Sequence, residues 1–150
     1  MEFKIPYPLK VEHEELHNIL SKATKEPGDL GDAAKAVAKL MHPHFIKEEE
    51  YALPPLGLLR DLAQGKMTPD MKEVLALTDR LKADLGQMLQ EHKSIVAALG
   101  VLSAAAKKAG KVEYVEFAKA LMLHAQTEEE VSYPTAILIG EYIREKLQLS

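Results

Sequence analysis

Apolar positions recur at helical spacing along most of the chain. Leu9, Leu16, Ile19, Leu20 and Ala23 form one such stripe and predict a helix from about Leu9 to Thr24, ended by Pro27 and Gly28. Pro6 and Pro8 mark the residues before it as an extended arm. Asp32 is placed to cap a second helix that continues to about Leu53, where Pro54 and Pro55 stop it. A short helical turn from Leu59 to Ala63 follows. Thr68-Pro69 reads as a cap with proline at the first helical position, opening a pattern that runs to Ala109 and closes at Gly110. A helix of ~40 residues would be roughly 60 Å long, so a bend or break is expected near Gly86. A further helix is expected from Val112 to about Val131, then an interruption at Pro134 and a C-terminal helix from Thr135 to Leu147. No β-type alternation competes with this pattern. The expected fold is all-α: an antiparallel four-helix bundle with an additional C-terminal helix, in one domain covering residues 1–150.

Composition narrows the chemistry. Trp is absent and aromatics are 5%, so Leu, Ala, Val, Ile and Met must build the core. The absence of cysteine excludes disulfides, thiolate zinc sites, iron–sulfur clusters and thiol catalysis. A formal net charge of -4 argues against a nucleic-acid surface. No run approaches the ~20 apolar residues needed to span a membrane. The opening MEFKIPYPLK has no signal-peptide core, so a cytoplasmic location is expected.

The polar residues inside the helical pattern repeat. Residues 44–54 read HFIKEEEYALP and residues 124–134 read HAQTEEEVSYP, an offset of 80. Upstream, Glu12-His13 and Glu91-His92 are offset by 79, and each precedes a helical apolar stripe. Two hairpins of similar design therefore each bring one His and one His-x3-Glu. Residue i+4 is rotated only ~40° from residue i, so Glu48 shares a face with His44, and Glu128 with His124. Glu49, Glu50, Glu129 and Glu130 turn away and read as a solvated acidic face. Leu9, Leu16 and Leu20 around His13, and Met88, Leu89, Ile95 and Val96 around His92, put these imidazoles on inward seams. Buried imidazole and carboxylate must be paired or bind metal. If Glu48 and Glu128 bridge two ions, each ion receives two nitrogens from the set His13, His44, His92 and His124, and two oxygens. Such a donor set suits iron, manganese or zinc.

At these residues the sequence resembles the hemerythrin-like, or HHE cation-binding, family. The motifs are EHEELHNIL at 12–20, HPHFIKEEEYALPPL at 42–56, EHKSIVAAL at 91–99 and LHAQTEEEVSYP at 123–134. The resemblance implies a non-haem di-iron centre with His13, His44, Glu48, His92, His124 and Glu128 as ligands. Manganese or zinc would be the less expected metals. The His-x3-Glu order differs from the Glu-x2-His of ferritin-like bundles. True hemerythrins carry two histidines four apart on the third helix, where this chain has His92 and Val96; His17 instead follows His13 by four residues.

His17 is a candidate further ligand. Tyr51 returns to the His44 face and is a candidate hydrogen-bond donor to Glu48 or to a bound ligand. His42 lies ~200° from His44, and Tyr133 lies opposite His124, on ideal helices; Tyr133 is expected to be structural. The implied function is a module that binds or senses dioxygen, nitric oxide or peroxide, or handles iron. The alternatives are a peroxidase-like or catalase-like di-iron enzyme, favoured by Tyr51 or His17 near the metals, and a metal-free structural bundle.

Overall fold

A computed structural model describes residues 1–149, and every regular element among them is helical. Helix α1 spans Tyr7–Ala23. It starts before the expected Leu9 because Pro8 falls in the first turn, where a helix asks for no amide donor. Helix α2 spans Gly28–Lys47 and begins directly after Pro27, not at an Asp32 cap. Its buried stripe already starts at Leu30, and Asp29 lies in the first turn, where the helix dipole favours an acid.

Next come a π-helical turn at Glu48–Ala52, a 3-10 segment at Pro54–Leu58, and the short helix α3 at Leu59–Ala63. A second 3-10 segment, Pro69–Val74, leads into α4, Leu75–Lys108. Gly110, at φ 71°, follows the end of α4 in the left-handed region that glycine tolerates. Helix α5 spans Val112–Thr127, a second π turn spans Glu128–Ser132, and α6 spans Tyr133–Lys146. No helix among the described residues is long and apolar enough to cross a membrane.

Two expectations fail here for physical reasons. Helix α4 is unbroken at Gly86. One exposed glycine costs a helix only about 1 kcal/mol relative to Ala, while Leu81, Met88 and Ile95 anchor the helix by burial on either side. Its length is matched by a second rod, because α5, the π turn and α6 follow one another with no intervening loop. Pro134 therefore does not interrupt the chain. It sits in the first turn of α6, and the ladder before it shifts to a wider bond, from the Tyr133 amide to the Glu128 carbonyl. The same wide bond joins the Leu53 amide to the Glu48 carbonyl, just before Pro54. Proline cannot donate to the residue four back and its ring crowds that carbonyl, so a proline follows each π turn.

The rods bury two apolar clusters. One includes Leu16, Leu20, Phe45, Ile95 and Leu121; the other includes Tyr51, Leu53, Met88, Tyr133 and Ile139. On each rod the boundary between them falls at His13, at His44 and Glu48, at His92, and at His124 and Glu128. A polar layer thus lies between two dry ones. The α4–α6 crossing is tight at Gly140, where an added Cβ would stand 2.1 Å from Thr78 Oγ1.

Candidate metal centre

His13 comes from α1, His44 from the end of α2, His92 from α4, and His124 from α5, while each π turn begins on a glutamate, Glu48 or Glu128. All but His124 are buried, and His124 is nearly so. Their donor atoms fall into two groups: His13, Glu48, His124 and Glu128; and His44, Glu48, His92 and Glu128. Within each group the atoms lie within 4.8 Å of one another. Donors on one ion with bonds of ~2.0–2.2 Å are at most roughly 4.4 Å apart, so a small contraction closes either group on a cation.

The two glutamates belong to both groups and divide their oxygens between them. Glu48 Oε1 is 3.6 Å from His13 Nε2, and its Oε2 is 3.6 Å from His44 Nε2. Glu128 Oε2 is 3.2 Å from His124 Nε2 and 3.8 Å from His13 Nε2, and its Oε1 is 3.2 Å from His92 Nε2. Each carboxylate thus directs one oxygen toward each of the two donor groups. The hemerythrin HHE cation binding domain model matches residues 6–136. The chain belongs to this family. No curated protein and no solved structure matches it significantly.

The donor set of this HHE domain fits a cation by a second criterion. His13 Nε2, Glu48 Oε1, His124 Nε2 and Glu128 Oε2 are buried without a hydrogen-bond partner. Buried polar atoms are otherwise paired in folded proteins. Four orphans from one layer, all facing the same centre, are explained together by a cation.

The outward nitrogens meet carboxylates from neighbouring helices. His44 Nδ1 donates to Glu91 Oε1 at 2.8 Å, and His124 Nδ1 donates to Glu12. Glu49 Oε1 is 3.7 Å from His13 Nδ1, and Glu129 Oε1 is 3.4 Å from His92 Nδ1. Glu49 and Glu129 are exposed, as expected, yet each stands within ion-pair reach of the histidine of the helix beside it without a hydrogen bond to it. Glu50 and Glu130 are exposed, as expected. The Glu12-His13 and Glu91-His92 dipeptides were the available signal, since adjacent helical residues diverge by ~100° and must serve different helices. A carboxylate on the far nitrogen fixes the imidazole's tautomer and orientation.

The two tyrosines exchange their expected roles. Tyr133 donates to Glu48 Oε2 at 2.6 Å, and its oxygen is 3.3 Å from His44 Nε2 and 3.2 Å from His92 Nε2. The extra residue in the π turn turns Tyr133 back by ~100° from the position opposite His124. Tyr51 lies inside the other π turn and is deflected from the His44 face. It donates to Asp84, and Arg80 covers its ring. Asp84 pairs with Lys47 at 3.5 Å, and Lys47 with Glu91 at 2.7 Å, so Tyr51 reaches His44 only through an ion-pair chain. His17 is exposed and does not join either group. The buried stripe of α1 runs through His13, Leu16 and Leu20, which leaves position 17 at its edge. His17 and His42 line a surface cleft beside His13; a second cleft reaches His92.

With no cation, protons hold this layer together. Burial and the Glu128 charge push the Glu48 carboxyl up to about 7. Burial acts in the same direction on Glu128, but the Glu48 carboxyl and the imidazoles of His124, His13 and His92 gathered around it outweigh burial and hold Glu128 well below the usual carboxylate range. Burial lowers His44 and His124, yet the neighbouring carboxylates of Glu48 and Glu128 respectively raise both to about 9. His13 also rises, since Glu128 and Glu48 outweigh its burial. Burial and both carboxylates keep the Tyr133 phenol protonated well above the ordinary tyrosine range. A cation entering the layer takes the place of such protons.

Proposed function

We propose that this HHE domain is a non-haem di-iron protein that binds or senses dioxygen, nitric oxide or peroxide, or handles iron. His13 and His124 would hold one iron, His44 and His92 the other, and Glu48 and Glu128 would bridge them. The observation that carries this reading is the division of each glutamate's two oxygens between the two donor groups. Iron bound there supplies a Lewis-acidic, redox-active pair with coordination positions left for a small molecule. The protein's part is to hold two histidines per ion in a buried polar layer, orient His44 and His124 through Glu91 and Glu12, and admit small molecules through the clefts beside His13 and His92. An antiparallel bundle fits the short α1–α2 and α4–α5 connections, and one domain fits a site drawn from every long helix.

The test is metal analysis with an absorption spectrum of the aerobically purified protein. Two irons per chain and a near-ultraviolet to visible absorption that vanishes on chelation are expected. A colourless protein that neither contains iron nor takes up ferrous iron refutes the reading.

A further inference from the structure

The two halves of the site are not equivalent, and Tyr133 is the difference. Its hydroxyl oxygen stands 2.6 Å from Glu48 Oε2, 3.3 Å from His44 Nε2 and 3.2 Å from His92 Nε2, and those two nitrogens are 2.9 Å apart. Donors held at ~2.0–2.2 Å on one ion, about a right angle apart, are separated by roughly 3 Å. The phenol oxygen therefore keeps ligand-to-ligand spacing with three donors of one group. The phenol proton serves Glu48, and the two imidazoles can reach the phenol oxygen only as donors, which sets two N–H groups against each other across the 2.9 Å between them; a cation at their centre accounts for all of these contacts together. The side chain is fully buried, so the hydroxyl cannot turn to water instead.

The sequence repeat supplies the contrast. Eighty residues before Tyr133, at the same place after the first π turn and before proline, stands Leu53, which has no oxygen to offer. The duplication that makes the histidines and glutamates symmetric does not extend to this position.

Resting on the di-iron reading, the geometry points to Tyr133 as a phenolate ligand of the iron held by His44 and His92. The iron held by His13 and His124 then keeps the position open to a small molecule, on the side of the His13 cleft. Binding exchanges the phenol O–H bond for an O–iron bond. The proton leaves to solvent, and no electron is transferred. A bound cation reverses the local field that keeps the phenol protonated without metal, and phenolate is an established kind of protein ligand to iron.

The test uses the full chain stripped of metal, reloaded with ferrous iron and oxidised in air. Iron per chain, the visible spectrum and the resonance Raman spectrum are then measured. A phenolate-to-ferric charge-transfer band with enhanced tyrosine ring modes is expected in the wild type and in Tyr51→Phe. It should be lost in Tyr133→Phe and in Tyr133→Leu, the latter copying the residue of the first hairpin. Wild-type protein with two ferric ions per chain and no phenolate modes overturns the proposal, as do phenolate modes that persist in either Tyr133 variant. The first of these leaves the di-iron reading intact; failure to bind iron at all overturns both.

Discussion

Removing metal from this domain should make its stability fall as pH rises from neutral to alkaline. His44 and His124 are raised from 6.5 to about 9 in the folded chain. A group raised on folding contributes stability in full below its unfolded value and loses it as pH climbs through the folded value. For these two histidines that window is pH 6.5 to about 9. Glu48, raised from 4.5 to about 7, loses its contribution earlier in the same direction. Glu91, lowered from 4.5 to about 2 by Lys47 and His44 against its burial, acts oppositely and only in acid. Each extra proton bound by the folded chain changes stability by about 1.4 kcal/mol per pH unit, so two histidines give a slope on the order of 3 kcal/mol per unit near pH 8. Urea unfolding of chelator-treated protein at several pH values across the window measures it. The same protons must leave when metal enters, so apparent metal affinity should rise by up to tenfold per pH unit for each one displaced. Titrating metal in two buffers of different ionisation enthalpy counts them. Metal-free stability that is flat or rising from neutral to alkaline pH would refute this account of the layer.

Glu48→Ala and Glu128→Ala should each lower iron per chain more than His13→Ala or His92→Ala, since each glutamate serves both donor groups; metal analysis of purified variants reads this directly. Glu91→Gln and Glu12→Gln should weaken metal binding by about 10- to 100-fold through loss of imidazole orientation, with smaller losses for Glu49→Ala and Glu129→Ala, whose carboxylates stand farther from their histidines; competition with a chromophoric chelator ranks them. Gly86→Ala and Gly100→Ala, whose added methyl groups meet open space on α4, should each stabilise by about 0.5–1 kcal/mol. Gly140→Ala should destabilise by about 1–3 kcal/mol because its methyl group collides with Thr78; thermal melts separate the two directions.

What the sequence settled by itself was local and periodic. Helical stripes, proline stops and the Gly110 cap gave the helices, because each signal acts within a few residues of where it is written. The repeat of His-x3-Glu gave the pairing of His44 with Glu48 and of His124 with Glu128, since a spacing of four on one helix fixes a shared face regardless of what packs nearby. The family followed from the same ordered motifs.

Tertiary structure decided everything that depended on register across helices or on a departure from ideal geometry. Each π turn adds one residue to its rod, so all faces beyond it rotate: Tyr133 is carried to the site and Tyr51 to Asp84, the reverse of what a uniform period predicts. The unbroken α4 follows from a partner rod of equal length, which no local signal in α4 reports. Glu12 and Glu91 appear in the sequence only as the repeated neighbours of His13 and His92, and acquire a partner only because a neighbouring helix sets the imidazole of His124 or His44 beside them. A helix sequence specifies angles about its own axis; which side chain of another helix lies at that angle is fixed only when the helices pack.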